Sequence, residues 1–253
     1  MRVLLGAVAL SVSNVLVSGK GRRYRRDWAA RPVFADRVDA LFADGVVRAI
    51  YEIRRFQDRK IKSYKLIRGD TRALFPHRSS FDLAVFSPPY PNSFDYTDVY
   101  NVELWVCGYL TGAEDNRALR LATLRSHVQI ARSFETPDTT SATLMQVASE
   151  LEQVRDKLWD PNIPGMVRGY FADMALVLSK LGRSLRGGGR VYIVVGDSRY
   201  GGVQVPVATI LSEIALSMGY VLAAEEPFRS MRASPQQGGR HELVETLLTL
   251  NRD

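Results

Sequence analysis

The sequence predicts an α/β fold in which short buried strands alternate with amphipathic helices. Apolar runs at residues 81–86 and 190–195 have the length and composition of buried strands, and residues 36–56 and 171–185 repeat apolar side chains at the three-to-four spacing of a helix. The first of these strands is followed by Ser87, a polar residue at a strand terminus. This alternation is typical of a doubly wound sheet, whose functional side chains lie at the carboxyl ends of the strands.

Elements in the first third of the chain are less regular. An apolar run at residues 3–10 predicts a buried helix or strand, and the basic segment at residues 20–26 predicts a surface loop. A strand at residues 64–68 is expected to end at Gly69 and Asp70.

The carboxyl-terminal third completes the predicted sheet. A glycine triplet at residues 187–189 predicts the end of the long helix. Proline is tolerated in the first turn of a helix, so a further helix is expected from Pro206 to Met218. Two closing strands are expected at residues 221–225 and 245–250, joined by a loop that holds Arg229, Arg232 and Arg240.

The charge of the chain is concentrated near its amino terminus. The 253 residues are 46% apolar and 24% charged, which excludes a disordered chain, a collagen-like repeat and a small disulfide scaffold. Of the net charge of +7, residues 1–68 contribute 16 basic against 6 acidic side chains and residues 69–253 contribute 18 against 21. The first segment therefore carries +10 and the second −3. A polyanionic partner of the first segment is indicated.

Cysteine and histidine content predicts the compartment. Cys107 is the single cysteine, so no internal disulfide can form, and the three histidines, His77, His127 and His241, make no zinc spacing with it. A reducing, cytoplasmic location and no bound metal are expected. The apolar run near the amino terminus is shorter than the ~20 residues of a membrane-spanning helix, so no membrane association is expected.

The strongest chemical signal is the sequence Ser87, Pro88, Pro89 and Tyr90. Two consecutive prolines fix φ at about −65° and supply no N–H donors, so the chain is held in a rigid turn whose carbonyls can face a ligand. The Ser87 hydroxyl and the Pro88 carbonyl are acceptors for the hydrogens of an amino group. The Tyr90 ring offers a surface on which an extruded base can stack, a contact worth about 1–3 kcal/mol. The alternative is a plain Pro-Pro turn with a packing aromatic.

This segment resembles motif IV of the S-adenosylmethionine-dependent DNA amino-methyltransferases, which methylate cytosine N4 or adenine N6. The serine variant of the motif favours cytosine. The resemblance covers most of residues 61–253 and implies a Rossmann-like class I methyltransferase sheet. It implies that a flipped base is held by Ser87 and Pro88 over Tyr90, and that its amine attacks the sulfonium methyl. Asp70 resembles the acid of motif III, so it and Ser87 are expected to bind the cofactor.

Further segments extend the resemblance. Residues 185–190 resemble the junction between a helix and the fifth strand of such sheets. Residues 91–98 and 196–202 resemble loops of one group of site-specific DNA methyltransferases. Asp95, Tyr96 and Asp197 within these loops are accordingly expected to contact the substrate.

A glycine-rich cofactor turn, which the resemblance requires after a first strand, is not found before Asp70. Gly19 and Gly21 are followed by arginines instead of a small-residue helix, and residues 196–202 would serve only in a permuted motif order. The first two strands and the turn are expected on another polypeptide or upstream of residue 1. The sheet would then be incomplete, and the chain would be one half of a split enzyme whose partner chain supplies the turn.

Three regions follow from these expectations. Residues 1–60 form a basic helical region, residues 61–90 and 166–253 form the methyltransferase core, and residues 91–165 form an insertion for target recognition or substrate clamping. Within that insertion, residues 117–132, with Arg120, Arg125 and His127, are expected to form part of the recognition surface. The side chains expected to bind DNA phosphates are Lys20, Arg22, Arg23, Arg25 and Arg26.

The resulting hypothesis is a site-specific DNA methyltransferase that modifies the exocyclic amine of a flipped base, with cytosine N4 favoured and adenine N6 next. Two alternatives stay open. Related Pro-Pro-Tyr enzymes methylate guanine N2 in tRNA or glutamine amides in proteins. A non-catalytic DNA-binding subunit with a relic motif is the alternative from another class.

Overall fold

The structure is a computed structural model that describes residues 1–18, 21–59, 63–74, 81–134, 140–232 and 242–253. Its internal contacts divide the chain into two units. The first unit comprises residues 1–68 and 95–121, and the second comprises residues 69–94 and 122–253. The predicted roles of Lys20, His77, Arg240 and His241 lie outside the described residues.

The described part of the first unit contains helices and one hairpin. Its elements are α1 (Arg2–Val12), β1 (Val15–Ser18), β2 (Gly21–Tyr24), α2 (Ala35–Arg55), α3 (Tyr96–Val99), α4 (Asn101–Val106) and α5 (Ala113–Ala122). The α1 helix packs against α2 and α4, and Gly6 permits a close approach because a Cβ there would lie 3.3 Å from Cys107 Sγ.

The second unit is a mixed α/β structure. A helix rich in apolar side chains precedes the central strand, and two further strands close the sheet after the last helix. Its elements are β3 (Phe81–Phe86), α6 (Ala142–Gln153), α7 (Ile163–Ser184), β4 (Leu185–Gly196), β5 (Ser198–Tyr200), β6 (Val203–Val205), α8 (Val207–Leu216), β7 (Tyr220–Arg232) and β8 (Glu242–Arg252).

Four strands of the second unit form one sheet in the order β3-β4-β8-β7. The first pair is parallel, with Phe86 opposite Ile193, and the other two pairs are antiparallel. The amino-terminal end of β8 therefore lies beside the carboxyl end of β4. Side chains from three different strands meet at this edge of the sheet.

One face of this sheet is buried. Val191 and Ile193 of β4 and Leu248 of β8 are fully buried in a core that includes Phe171 of α7 and Leu211 of α8. Alternation along a strand sends every second side chain to the other face, so the odd-numbered residues of β3 point away from this core. They are exposed, at 42% for Phe81, 53% for Leu83 and 68% for Val85.

Several predicted elements are confirmed, including the helix at 36–56 and the strand at 81–86. Others were wrong. The basic segment expected as a loop contains β2, because residues 15–18 pair with it in antiparallel register and satisfy its backbone groups. Residues 64–68 form no strand, and among the described residues they have no ladder partner.

The glycine triplet does not precede the central strand but belongs to it. The β4 strand begins at Leu185, opposite Phe81, and a Cβ on Gly189 would lie 2.9 Å from the Arg186 carbonyl oxygen. Glycine therefore permits a close backbone approach within the strand. The β7 strand similarly runs to Arg232, so Arg229 and Arg232 lie in a strand and not in the predicted connecting loop.

None of the helices in the described ranges combines the length and the apolar character that crossing a lipid bilayer requires.

Candidate functional site

The residues with the strongest sequence signal lie at the carboxyl edge of the parallel pair β3 and β4. Ser87 directly follows β3, and Asp197 directly follows β4. Glu245 of β8 pairs with Gly196, and the Asp197 backbone N–H donates to the Val244 carbonyl at 3.0 Å. The sheet thus brings Ser87, Asp197 and Glu245 to one edge.

Hydrogen bonds connect the Pro-Pro-Tyr turn to two neighbouring strands. The Ser87 hydroxyl donates to the Val194 carbonyl at 3.0 Å, and the Tyr90 hydroxyl donates to Glu245 Oε1 at 3.1 Å. The two hydroxyl oxygens are 3.4 Å apart. Ser87 is exposed and Pro88 is buried, so the turn presents the serine hydroxyl at the surface while it packs through a proline.

Tyr200 of β5 anchors the next residue of the chain. Its hydroxyl donates to the Pro91 carbonyl at 2.9 Å, and the side chain is 1% exposed. Burial raises the pKa of Tyr200 above its ordinary value, so the phenol stays a protonated donor. The chain just after the turn is therefore attached to a buried side chain.

Asp197 accepts a hydrogen bond from a backbone N–H in the first turn of a helix, where such donors lack partners within the helix. Its carboxylate accepts from the Val207 backbone N–H at 3.0 Å, at the amino terminus of α8, and from Gln204 Nε2 at 3.2 Å. Burial raises the pKa of Asp197, and these two hydrogen bonds oppose that rise. Asp197 therefore has an observed structural role at the start of α8, and its substrate role remains a prediction.

Asp197→Asn is expected to raise the thermal stability of the protein at pH 7. Because the folded-state pKa of Asp197 is raised, its stabilising contribution is present below its ordinary pKa of 3.8 and is lost as pH rises through the folded value. Asparagine carries no buried charge and keeps an acceptor for Val207. Thermal denaturation at pH 7 and pH 4 checks this, because the gain should shrink at the lower pH. A variant that melts lower than the parent at pH 7 would contradict it.

Asp70 belongs to a charged network and not to the carboxyl end of a strand. It begins a turn in which Arg72 donates from its guanidinium to both Asp70 carboxylate oxygens, with Nη2 to Oδ2 at 2.7 Å. The same arginine donates to Asp173 of α7 at 2.9 Å, and Arg125 donates to Asp173 at 2.8 Å. The hydrogen bond from Arg72 lowers the pKa of Asp70. The described hydrogen bonds of the Asp70 carboxylate thus run to Arg72 and not to residues 87–90.

Asp95 and Tyr96 lie in the first unit. Asp95 is 6% exposed, caps α3 by accepting from the Thr97 N–H at 2.9 Å, and forms an ion pair with Arg120 at 2.7 Å. These contacts account for an aspartate at this position without a substrate. Tyr96 is 45% exposed and stacks on Tyr100, with ring centroids 6.5 Å apart, and burial raises its pKa.

The predicted recognition surface at residues 117–132 is partly internal. Arg120 and Arg125 pair with Asp95 and Asp173, as described, and His127 is 1% exposed. Arg132 Nη2 lies 2.8 Å from His127 Nε2. The expectation that these three side chains form a surface was wrong for His127, because intramolecular polar partners allow it to be buried.

The basic hairpin presents some of its arginines to solvent. Arg22 contacts Asp98 and Asn101, and Arg25 donates to the Ser13 carbonyl at 3.1 Å. Arg23 and Arg26 have exposed side chains, so they are the arginines of this segment best placed to meet a phosphate.

The glycine segments considered for the cofactor turn adopt other structures. Gly21 begins β2 within an antiparallel hairpin, and Gly201 and Gly202 have φ of 55° and 90° in the turn between β5 and β6. Positive φ at two adjacent residues suits a tight hairpin turn. Neither segment joins a strand to a helix.

Sequence reasoning missed Glu245, Tyr200, Arg72 and Asp173. Only Glu245 had a usable signal in the sequence. It is a charged residue at the start of a predicted strand, and in an antiparallel pair the start of one strand lies beside the carboxyl end of the other. The other three act through contacts that depend on tertiary structure.

Two curated proteins that resemble this chain are named type II methyltransferases. M.AvaI of Nostoc sp. (strain PCC 7120 / SAG 25.82 / UTEX 2576) is 33% identical over 152 residues, which cover 55% of this chain and 31% of that protein. M.BsoBI of Geobacillus stearothermophilus is 27% identical over 163 residues, which cover 56% and 32%. The chain thus spans about a third of the length of the curated relatives it matches. No protein-family model matches it.

Among solved structures, similarity extends to TTHA0409 of Thermus thermophilus, assigned as a DNA modification methylase. The TM-score is 0.35 at 17% identity, over 73% of this chain and 52% of that one.

Proposed function

We propose that this chain carries the base-binding part of a DNA amino-methyltransferase that acts on cytosine N4, or failing that on adenine N6. The observation that carries the proposal is the exposed Ser87 hydroxyl, held at the carboxyl end of β3 by Val194 and followed by Pro88, Pro89 and Tyr90. The similarity to type II methyltransferases supports methyl transfer, and the resemblance of residues 87–90 to motif IV supports DNA as the substrate.

The chain's own residues bind and orient a flipped base in this proposal. An exocyclic amine is a poor nucleophile because its lone pair is delocalised into the ring. Acceptors at Ser87 Oγ and the Pro88 carbonyl bind both amine hydrogens and favour a pyramidal nitrogen, while the Tyr90 ring stacks on the base. Tyr200 and Glu245 hold the turn, and a fixed geometry of this kind contributes most of the rate.

S-adenosylmethionine, when bound, supplies the methyl group. Asp70 suits the adenine end of this cofactor, because its side chain is 40% exposed and Arg72 keeps it ionised and oriented as an acceptor. Glycine turns that join a strand to a helix are not found in the described ranges, so the methionine end has no cradle there. We therefore include in the proposal a partner chain that supplies the glycine-rich turn.

The open edge of the sheet supports such a partner. In the described part of the chain, β3 pairs with β4 and with no other strand. Phe81, Leu83 and Val85 expose apolar surface on the face opposite the core. Parallel strands in proteins are almost always covered on both faces, and unprotected edges invite pairing.

Calorimetric titration of S-adenosylmethionine into the purified chain tests the divided cofactor site. The expected result is no detectable binding by the chain alone and binding after addition of the product of the neighbouring reading frame. Tight binding by the chain alone would overturn the split arrangement and leave the base-binding role in place.

Transfer of a labelled methyl group to unmethylated DNA tests the activity itself. The assay combines the chain, its neighbouring gene product and labelled S-adenosylmethionine, and mass spectrometry of the digested DNA is expected to find N4-methylcytosine. In parallel assays with tRNA or protein as the acceptor, label in either one and none in DNA would instead support a tRNA guanine-N2 or a protein-glutamine methyltransferase. DNA binding without transfer under any pairing would support a non-catalytic subunit.

The double variant Arg23→Ala, Arg26→Ala is expected to weaken DNA binding equally across sequences. Removing one phosphate-binding cation lowers the slope of log K against log salt by about 0.9, so the slope should fall by about 2. Fluorescence anisotropy with duplexes at several salt concentrations measures it. Arg155→Ala serves as the matched control, because this arginine is exposed outside the hairpin and pairs with Glu152. An unchanged slope in the double variant would exclude these contacts.

A further inference from the structure

We infer that Glu245 is a positioning residue that keeps the Ser87 hydroxyl available as an acceptor for the substrate amine. This inference rests on the proposed function of Ser87. It follows from the directions of three polar contacts at the carboxyl edge of the sheet, which are fixed by the chemistry of the groups involved.

Two of the three contacts have only one possible direction. The Val194 carbonyl can only accept, so the Ser87 hydroxyl donates its single hydrogen to it at 3.0 Å. An ionised carboxylate can also only accept, so the Tyr90 hydroxyl donates its single hydrogen to Glu245 at 3.1 Å.

The third contact, between the two hydroxyls, then has no hydrogen to share. Ser87 Oγ and Tyr90 Oη are 3.4 Å apart, which is longer than the about 2.7–2.8 Å typical of a bond between hydroxyls. With its hydrogen committed to Val194, Ser87 Oγ presents lone pairs, and the proposed function requires lone pairs at this atom to bind an amine hydrogen.

Glu245 is well suited to hold the Tyr90 hydrogen. Its side chain is 13% exposed, and Arg229 Nη1 lies 3.5 Å from Glu245 Oε2. The register of β8 against β4 places Glu245 opposite Gly196, so its backbone position is set by the sheet. Without this acceptor, the nearest hydroxyl described for Tyr90 is Ser87 Oγ. Donation to Ser87 would occupy one of the two lone pairs of its oxygen and so compete with the substrate amine for this acceptor.

Glu245→Ala is therefore expected to lower kcat for DNA methylation about tenfold, the equivalent of one hydrogen bond of about 1.4 kcal/mol. Adding Tyr90→Phe to this variant removes the competing donor and retains the stacking ring. The double variant should be more active than Glu245→Ala alone, although it carries two changes at the site. Glu245→Gln retains an acceptor oxygen and should lose less activity than Glu245→Ala. Glu242→Ala, an exposed change on the same strand, is the control.

A crystal structure of Glu245→Ala tests the same inference without activity. The Ser87 to Tyr90 oxygen distance is expected to contract from 3.4 Å to about 2.8 Å. A distance that does not contract, or a double variant no more active than Glu245→Ala, would overturn the inference. Full activity of Ser87→Ala would instead overturn the proposed function, so the two failures are distinguishable.

Discussion

Replacing Ser87 with alanine is expected to reduce kcat for DNA methylation by about a hundredfold to a thousandfold, the usual cost of removing one preorganised hydrogen-bonding group at a reacting centre. In the proposed function, the lost group is the acceptor that orients the amine. Affinity for DNA should change little, because phosphate contacts dominate it and Ser87 makes none in the proposed arrangement.

Single-turnover methylation and DNA-binding measurements on the same preparations separate these two quantities. Ser149→Ala, at an exposed position of α6, is the matched control for loss of a serine hydroxyl. The Ser87 hydroxyl also donates to Val194, so a thermal melt is needed to show that the variant is folded. A folded Ser87→Ala protein with parental kcat would show that this motif is a structural turn.

Local pattern was sufficient to predict the part of the site that depends on one strand and its turn. Residues 81–86 are rich in aromatic and aliphatic side chains, and the following prolines cannot continue the ladder, so the position of Ser87 at a strand end is a local property. Tyr90 is three residues further along, and the rigid turn carries it to the same edge of the sheet.

Pairing between distant segments could not be predicted in this way. Glu245 reaches Tyr90 because β8 is antiparallel to β4 with Glu245 opposite Gly196, and a shift by one residue would turn its side chain to the other face. The same limit explains the strand wrongly predicted at residues 64–68. Its short apolar pattern is local, but a strand also requires a partner.

Asp70 illustrates a third case, in which the sequence identified the residue as a candidate but did not predict its contacts. The sequence around it predicts a strand end, whereas the structure places it in a turn bonded to Arg72. That arginine is held by Asp173, which lies 101 positions further along the chain. Charge pairs at such separation leave no periodic signal.

Asp173→Ala is expected to lower the free energy of unfolding by about 3–5 kcal/mol, which is the range for removing one partner of a buried ion pair. Asp173 is 2% exposed and accepts from the guanidiniums of Arg72 and Arg125 and from the Arg125 backbone N–H at 2.9 Å. Its loss leaves two cations and a backbone donor without their acceptor. Because both arginine side chains are 18% exposed, partial hydration favours the lower end of the range.

Urea denaturation measures this loss, with Asp156→Ala as the control because that aspartate is exposed. Asp173→Asn should fall between the two, since the amide keeps an acceptor oxygen but not the charge. If Asp70 binds the cofactor as proposed, the Asp173→Ala variant should also bind S-adenosylmethionine more weakly in the presence of the proposed partner chain, because Arg72 would then hold Asp70 without the contact to Asp173 that fixes its own position. A decrease in the free energy of unfolding below about 1 kcal/mol would show that this ion pair is as weak as an exposed surface pair. It would also contradict the view that Asp173 holds Arg72, and through it Asp70, in a fixed position.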